Sequence, residues 1–438
     1  MSGPATRTLT LAPGARRVLR WAIAPHRRGR VPIGLEARTA SGTRATTLEL
    51  AAVPGLRVPK RFLLSAFTPP YAWRDPPYRD ADFRYYREAG FRHMLWARDE
   101  DALIERIHAF GLRYFLDVAD LIGEGVYLRS DSGRTAPPIP PERLQRLDDA
   151  VRRRREDPFL NGYYIVDEPY PGAFANVGQV IERLHLEDPG RPTFIDAFPY
   201  FAPDEGSPAY LESLLTTTGV DWLCTDRYVL FNDHDEPEAF RTELGLIRRF
   251  ARRFGVPFCA ILQAVGTNGT RRADLDWRTP TPADLRWQAY TALAYGAKGL
   301  VWFHWDLDWG VTGSPDRERI YSALKELNPR LRAVGEALLP LRNLRVYREG
   351  EAGPLVPEEG RFVIGLFAGP GSFSYALLAN QDRSRAVSVP VRAAAPLAVL
   401  ERFDPARGSW RAVPLDATRF RLRFPAGGAA LLRYRPAP

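Results

Sequence analysis

Between residues 60 and 340, short apolar runs alternate with longer amphipathic stretches, the pattern of strands that each hand over to a helix. Eight runs read as strands: RFLLSAF (61–67), FRHMLWA (91–97), RYFLDVA (113–119), GYYIVDE (162–168), TFIDAFPY (193–200), DWLCTD (221–226), PFCAILQAVG (257–266) and GLVWFHWD (299–306). The stretches between them, among them DEDALIERIHAFG, PERLQRLDDAVRRRRED, AFRTELGLIRRFARRFG and PADLRWQAYTALAYGAK, read as helices, and several stop at Gly, a common helix end. Eight such units are the number that closes a (β/α)8 barrel. The rival topology, an open doubly wound sheet, calls for a Gly-rich phosphate loop after its first strand, where SAFTPPYAW stands instead.

Both flanks switch to short strands with turn residues between them. TRTLTLAPGARRVLRWAIAP and VPIGLEARTASGTRATTLELAAV predict about four strands of a partial β-sandwich. GRFVIGLFAG, SFSYALLANQD, AVSVPVRA, LAVLERFDP and RFRLRFPAGGAALLRYRP predict a second sandwich at the other end. The expected organisation is a partial β-sandwich module over 1–58, a barrel over 59–342 and a C-terminal β-sandwich over 343–438.

Composition narrows the functional classes. Apolar residues make up 45% and aromatics 12% of the 438 positions, enough for a large core and for aromatic pocket walls, which excludes disordered and fibrous classes. The net charge of +9 is nearly all arginine. Its densest run, VRRRRED, is expected on a solvated helix face, and no basic stripe or finger spacing appears, so no nucleic-acid partner is expected. Cys224 and Cys259 sit in apolar runs and read as buried thiols. The six His show no HxH or HExxH spacing, so neither a metal nor another cofactor is expected. No run of about eighteen uncharged apolar residues predicts a membrane span. The start MSGPATRTLTLAPGARR lacks an apolar signal region, which implies the cytoplasm unless the natural start lies upstream. None of these features sets an oligomeric state.

In a closed parallel barrel the functional groups stand at the C-terminal strand ends. Those ends carry Asp117 and Asp120, then Asp167 and Glu168, Asp196 and Tyr200, Asp226 and Tyr228, Gln263, and finally His304, Trp305, Asp306 and Asp308. Trp96 joins them from the second strand, with Trp302 and Trp309 near the last. Carboxyl groups beside aromatic platforms suit glycosidic bond cleavage: one acid protonates the leaving oxygen, one carboxylate attacks or activates water, and flat rings stack on sugar faces. Structural explanations compete at each position. For Glu168 the functional reading leads over that of a solvated strand-end acid, whereas Asp226 reads equally as the partner of Arg227 and Gln263 equally as a satisfied core amide. Asp117, Asp196 and Asp306 suit ion pairs with Arg or hydrogen bonds with Tyr, and of Trp302 and Trp305 one is expected in the core and one as a platform.

GYYIVDEP, DWLCTDRYVLF, PFCAILQAVG and RWQAYTALAYGAKGLVWFHW, in this order, resemble the clan A glycoside hydrolases, and within them the beta-galactosidase-like bacterial barrel proteins. The resemblance covers roughly 60–340 and implies hydrolysis of an oligo- or polysaccharide, with Glu168 as general acid/base. Asp167 stands where most clan members have an Asn that contacts the sugar. The clan's nucleophile is a Glu at the end of the seventh strand, and here that strand ends AILQAVG, with Gln263 as its nearest polar residue. Three readings follow: Asp226 is the second catalytic carboxylate, or the substrate supplies its own nucleophile, or the barrel binds sugar without cleaving it. The first is preferred, with Asp167, Tyr228, Gln263, Trp305, Asp306, Trp96 and Asp196 as substrate contacts.

Overall fold

The computed structural model describes residues 29–39, 42–52, 61–67, 78–131, 133–200, 207–267, 273–304 and 315–437. Strands β1 (Gly29–Thr39) and β2 (Gly42–Ala52) form an antiparallel hairpin. The other strands expected before residue 58, and both Trp305 and Asp306, lie outside the described residues.

All eight apolar runs of the middle segment are strands of one parallel sheet: β3 (Leu63–Ala66), β4 (His93–Ala97), β5 (Arg113–Asp117), β6 (Leu160–Asp167), β7 (Thr193–Ala197), β8 (Trp222–Thr225), β9 (Phe258–Gln263) and β10 (Gly299–Phe303). Their hydrogen-bonded order is β3-β10-β9-β8-β7-β6-β5-β4. The seam between β4 and β3 is closed largely by side chains. Ser65 Oγ and Tyr86 Oη both donate to the His93 carbonyl, at 2.9 and 2.6 Å, and Arg92 N reaches Leu64 O at 3.4 Å. The result is a nearly closed (β/α)8 barrel.

Strand alternation sorts the side chains into two layers. Leu63, Phe115, Tyr164, Phe194, Trp222, Cys224, Cys259 and Val301 fill the barrel interior. The two thiols face each other there, Sγ to Sγ 3.0 Å, both buried and free of disulfides. Their neighbours along each strand face the helices α1 (Asp80–Glu88), α2 (Asp101–Ala109), α3 (Val118–Ile122), α4 (Pro141–Arg154), α5 (Phe174–Glu187), α6 (Pro208–Thr218), α7 (Pro237–Phe254), α8 (Pro282–Tyr295) and α9 (Pro315–Leu338). Trp302 belongs to that outer layer, where its indole N–H donates to Asn328 at 2.9 Å. The VRRRRED run is only partly solvated as expected: Arg152, Arg153 and Arg155 are exposed, but Arg154 is buried and pairs with Asp99 at 2.7 Å and Asp101 at 2.5 Å.

The C-terminal strands β11 (Arg342–Arg348), β12 (Leu355–Pro357), β13 (Phe362–Ala368), β14 (Ser374–Asn380), β15 (Val387–Ala393), β16 (Leu397–Asp404), β17 (Ser409–Ala412), β18 (Arg419–Phe424) and β19 (Ala429–Pro436) form two antiparallel sheets, ordered β11-β13-β14-β19-β16-β17 and β12-β15-β18. Val389, Val391, Leu422 and Phe424 of the smaller sheet pack on Ile364, Leu378 and Leu432 of the larger, a β-sandwich core. The outer face of the larger sheet rests on the barrel through α8. This helix is buried almost all round, which explains the apolar stretch AYTALAYGA: one side meets β9, the other the sandwich. Gly365 allows the approach, because a Cβ there would stand 2.1 Å from Ala294 O.

A polar knot pins the same contact. Asp284, in the first turn of α8, completes a capping box with Thr281. It also accepts from Arg278 at 2.8 Å and from Arg383 of the sandwich at 3.0 Å, and both guanidiniums also pair with Asp235. Burial opposes the Asp284 charge, yet the Arg278 and Thr281 bonds outweigh it and hold the carboxyl below its ordinary range. Asp284→Ala should therefore cost about 2–3 kcal/mol at neutral pH, since it removes the capping box and leaves two half-buried guanidiniums with Asp235 alone. Because the folded pKa is depressed, the wild-type advantage is complete above about pH 4, the ordinary Asp value, and is lost as pH falls through the folded value. Urea unfolding of both proteins at pH 7 and pH 3 measures the difference.

Candidate active site

The ends of β6, β7 and β8 bring four carboxyl groups together, and a bulge sets their direction. Opposite β7, Tyr164 pairs with Phe194 and Asp167 with Asp196, but three steps on β6 match two on β7, because an extra residue stands between Tyr164 and Val166. Without it, Asp167 would point outward, opposite to Tyr164; with it, Asp167 and Asp196 both turn into the barrel mouth. Asp226 follows Trp222 and Cys224 on the inward face of β8. Glu168 then leaves the strand with φ +46°, a left-handed conformation that strains a side-chain-bearing residue, and is held by its N–H donating to Asp196 O at 2.9 Å. Tyr210 Oη secures the following turn by donating to Pro169 O at 2.9 Å.

Among the described residues, one guanidinium faces this group closely. Arg129 donates through Nη2 to Glu168 Oε2 at 3.1 Å, with Nη1 3.9 Å from Asp167 and 4.0 Å from Glu124. Both Arg129 and Glu124 come from the segment after β5, where a π-helical turn, Glu124–Leu128, follows α3. That turn is pinned by Asn176 Nδ2, which donates to Tyr127 O at 2.9 Å.

Carboxylates this close cannot all be ionised. Burial, and then the charge of Asp226, pushes Asp196 well above the ordinary carboxyl range. Asp226 is pushed up as well, first by burial and then by Glu168 and Asp167. Burial also raises Asp167, opposed by the charge of Arg129. Glu124 is pushed up to about 7 by burial and by the Asp167 charge, and burial brings Asp117 to about 6. On the opposite rim, burial pushes His304 down to about 3 and keeps its ring neutral.

Aromatic rings complete the cup. Trp96 meets Phe67 at 4.6 Å, Phe67 meets Phe303 at 5.5 Å, Phe303 meets Tyr228 at 5.0 Å, and Tyr228 meets Trp277 at 4.7 Å. Trp96, Phe303 and Trp277 are each partly exposed, so the arc offers apolar faces across from the acids. Glu243 of α7 braces the acid side by accepting from Thr225 Oγ1 at 2.7 Å and Tyr200 N at 2.9 Å.

Of the residues expected from sequence, Glu168, Asp167, Asp196, Asp226 and Tyr228 converge on this cup, and Trp96 faces them from β4. Gln263 sits differently. It is wholly buried; its Oε1 accepts from Leu230 N at 3.1 Å, while its Nε2 donates to the carbonyls of Leu230, Val265 and Arg278 at 3.0–3.2 Å. The amide clamps the loops after β8 and β9 together. Arg129, Glu124 and Trp277 were not singled out by sequence reasoning. The Trp in LDWRT was the one available signal, whereas GEGVYLRS shows no period or motif that would flag its two charged residues. Among the described residues no group of three His, Cys, Asp or Glu is arranged to hold a metal, and no helix is long and apolar enough to cross a membrane.

No known family profile and no curated protein matches the sequence. Solved structures do match the fold. One described as a glycoside hydrolase superposes with a TM-score of 0.52 at 12% identity, over 86% of this chain and 93% of its own. A glycoside hydrolase family 5 protein from Bacteroides vulgatus gives a TM-score of 0.53 at 10% identity, over 86% and 89%. The likeness read from the strand-end motifs thus extends to the fold, that of glycoside hydrolase barrels.

Two outcomes test this geometry. Gln263→Leu should lower stability by about 2–4 kcal/mol, because it strands several buried backbone groups at once; urea unfolding measures it. For Glu124 the folded pKa is raised, so its ionisation opposes folding: stability falls as pH rises from about 4.3, the ordinary Glu value, through about 7. The thermal midpoint of Glu124→Gln should accordingly gain on wild type between pH 4 and pH 8, followed by calorimetry.

Proposed function

We propose that this chain is a glycoside hydrolase that cleaves O-glycosidic bonds of an oligo- or polysaccharide, with Glu168 and Asp226 as its pair of carboxyl groups. The observation that carries the reading is the convergence of these acids at the ends of β6 and β8 opposite an arc of partly exposed rings. Sugar hydrolysis needs one carboxyl group to protonate the leaving oxygen and one carboxylate to attack or to activate water. Rings such as Trp96 and Trp277 offer flat faces for the C–H side of a sugar. Asp167 and Tyr228 present a carboxyl group and a phenol beside the pair, suited to sugar hydroxyls. Asp196, fully buried, acts from beneath as a proton-holding partner of Asp167. Trp305 and Asp306 keep their expected role as contacts from the last strand's loop.

A second reading, a barrel that binds carbohydrate without cleaving it, is favoured by one feature: the strand-seven position holds the Gln263 clamp in place of a carboxylate.

Hydrolysis of a broad panel of aryl glycosides and glycans separates the two. Wild type should turn over at least one class, and on glycans with unactivated leaving groups Glu168→Gln and Asp226→Asn should each lower kcat/KM by more than about a hundredfold. Asp226→Asn should not lower the thermal midpoint, since it puts a neutral amide of the same shape where a carboxyl group is crowded by acids. Sugar binding by wild type with no hydrolysis across the panel would establish the binding reading instead.

A further inference from the structure

We infer that in the resting protein Glu168 is the ionised member of the pair and Asp226 the proton-bearing member, with Arg129 fixing that assignment. This rests on the glycosidase reading and reverses the role that family resemblance implies for Glu168.

The geometry on the two sides differs. A guanidinium has donors and no acceptor, so Glu168 Oε2, 3.1 Å from Arg129 Nη2, can only accept, and the ionised carboxylate is the form that does so best. Arg129 is no loose surface side chain: its carbonyl accepts from Tyr170 N at 3.1 Å and its N–H donates to Glu124 O at 2.6 Å, so both ends of its loop are tied to the site. Among the described residues, Asp196, Asp226, Tyr210 and Tyr228 also feel the Glu168 charge. Asp226 has the opposite surroundings. Its Oδ1 is closed off from solvent and has no hydrogen-bond partner among the described residues. Glu168 and Asp167 face it from β6, Asp196 from β7 and Glu243 from α7, while the Tyr228 hydroxyl of its own loop opposes them by favouring the charged form. Arg227, next in sequence, pairs with Glu236 at 2.7 Å. A carboxyl group crowded by acids holds its proton, and the direction of the Asp226 shift agrees.

The chemistry follows from that distribution. As the bond from the anomeric carbon to the leaving oxygen breaks, the oxygen takes the Asp226 proton. The new bond at that carbon is made by Glu168 itself, later displaced by water whose proton returns to Asp226, or by a water whose proton passes to Glu168. Either course consumes one water and balances. Arg129 is a positioning residue in both.

Leaving-group dependence tests the assignment. An enzyme short of its general acid still cleaves glycosides whose leaving group needs no proton. Asp226→Asn should therefore lose less than about tenfold in kcat/KM on dinitrophenyl glycosides and more than about a hundredfold on alkyl glycosides. Glu168→Gln should lose at least about a thousandfold on both. Arg129→Gln should move the acid limb of the kcat/KM profile up by about one pH unit, and Arg129→Lys should restore most of that shift. The mirror pattern, with Glu168→Gln spared on dinitrophenyl glycosides, or an acid limb unmoved in Arg129→Gln, overturns the assignment. If wild type cleaves no glycoside, the glycosidase reading fails, and carboxyl-carbon NMR titration, with the two variants supplying the resonance assignments, still decides the proton's place. Glu168 should ionise at lower pH than Asp226; the reverse order refutes the inference.

Discussion

Asp167 and Asp196 are partners across neighbouring strands, both turned inward, and two carboxylates so placed cannot both carry charge. The chemistry of the site depends on how that conflict is resolved. Asp196, with no exposure to solvent and neither carboxyl oxygen hydrogen-bonded among the described residues, retains its proton, while Arg129 favours Asp167 as the anion. Glu168 and Asp226 flank this pair on either side of β7, so the protonation of each is set by its neighbours as well as by solvent. Carboxyl groups driven apart in this way are the usual means by which acid and base are both present near neutral pH.

Such crowding opposes folding, and the surrounding structure shows where it is offset. The braces lie just outside the acids: Glu243 on the end of β8, Tyr210 under Pro169, Asn176 on the turn that delivers Arg129, and Gln263 between two loops. Farther out, α8 fills the space between barrel and sandwich, and the Asp284 knot ties their polar edges. Rigidity at these points is what allows a strained residue such as Glu168, at φ +46°, to keep one orientation.

Much of this was legible in the sequence, for physical reasons that differ by element. Strands buried on both faces must read as unbroken apolar runs, so YYIV and FCAIL announce themselves. The stretch PADLRWQAYTALAYGAK read as a helix, and Asp167, Glu168, Asp196 and Asp226 stood out because each lies at or near the end of such a run. Three things were hidden. The bulge at Ile165 leaves no mark in composition, yet it decides which way Asp167 points. Arg129 acts across a distance of 39 residues from Glu168, through a turn with no period of its own. And a glutamine at a strand end looks the same whether it meets substrate or clamps backbone; only its partners, all main-chain groups on two loops, distinguish the cases.

That clamp also bears on where a second carboxyl group can come from. Neighbouring strands lie about 4.8 Å apart, so β6 and β8, with β7 between them, are separated by about 9–10 Å at the backbone. Side chains directed into the mouth of a barrel converge, and the Glu168 charge reaches Asp226. Carboxyl groups projecting from strands two apart thus fall within the range of separations that hydrolysis uses, about 5 to 9.5 Å. With the end of β9 filled by an amide whose hydrogens are already engaged, the pairing of β6 with β8 places both groups over the same floor of Tyr164, Phe194 and Trp222. The arrangement leaves one carboxyl group near a cation and one shielded from it.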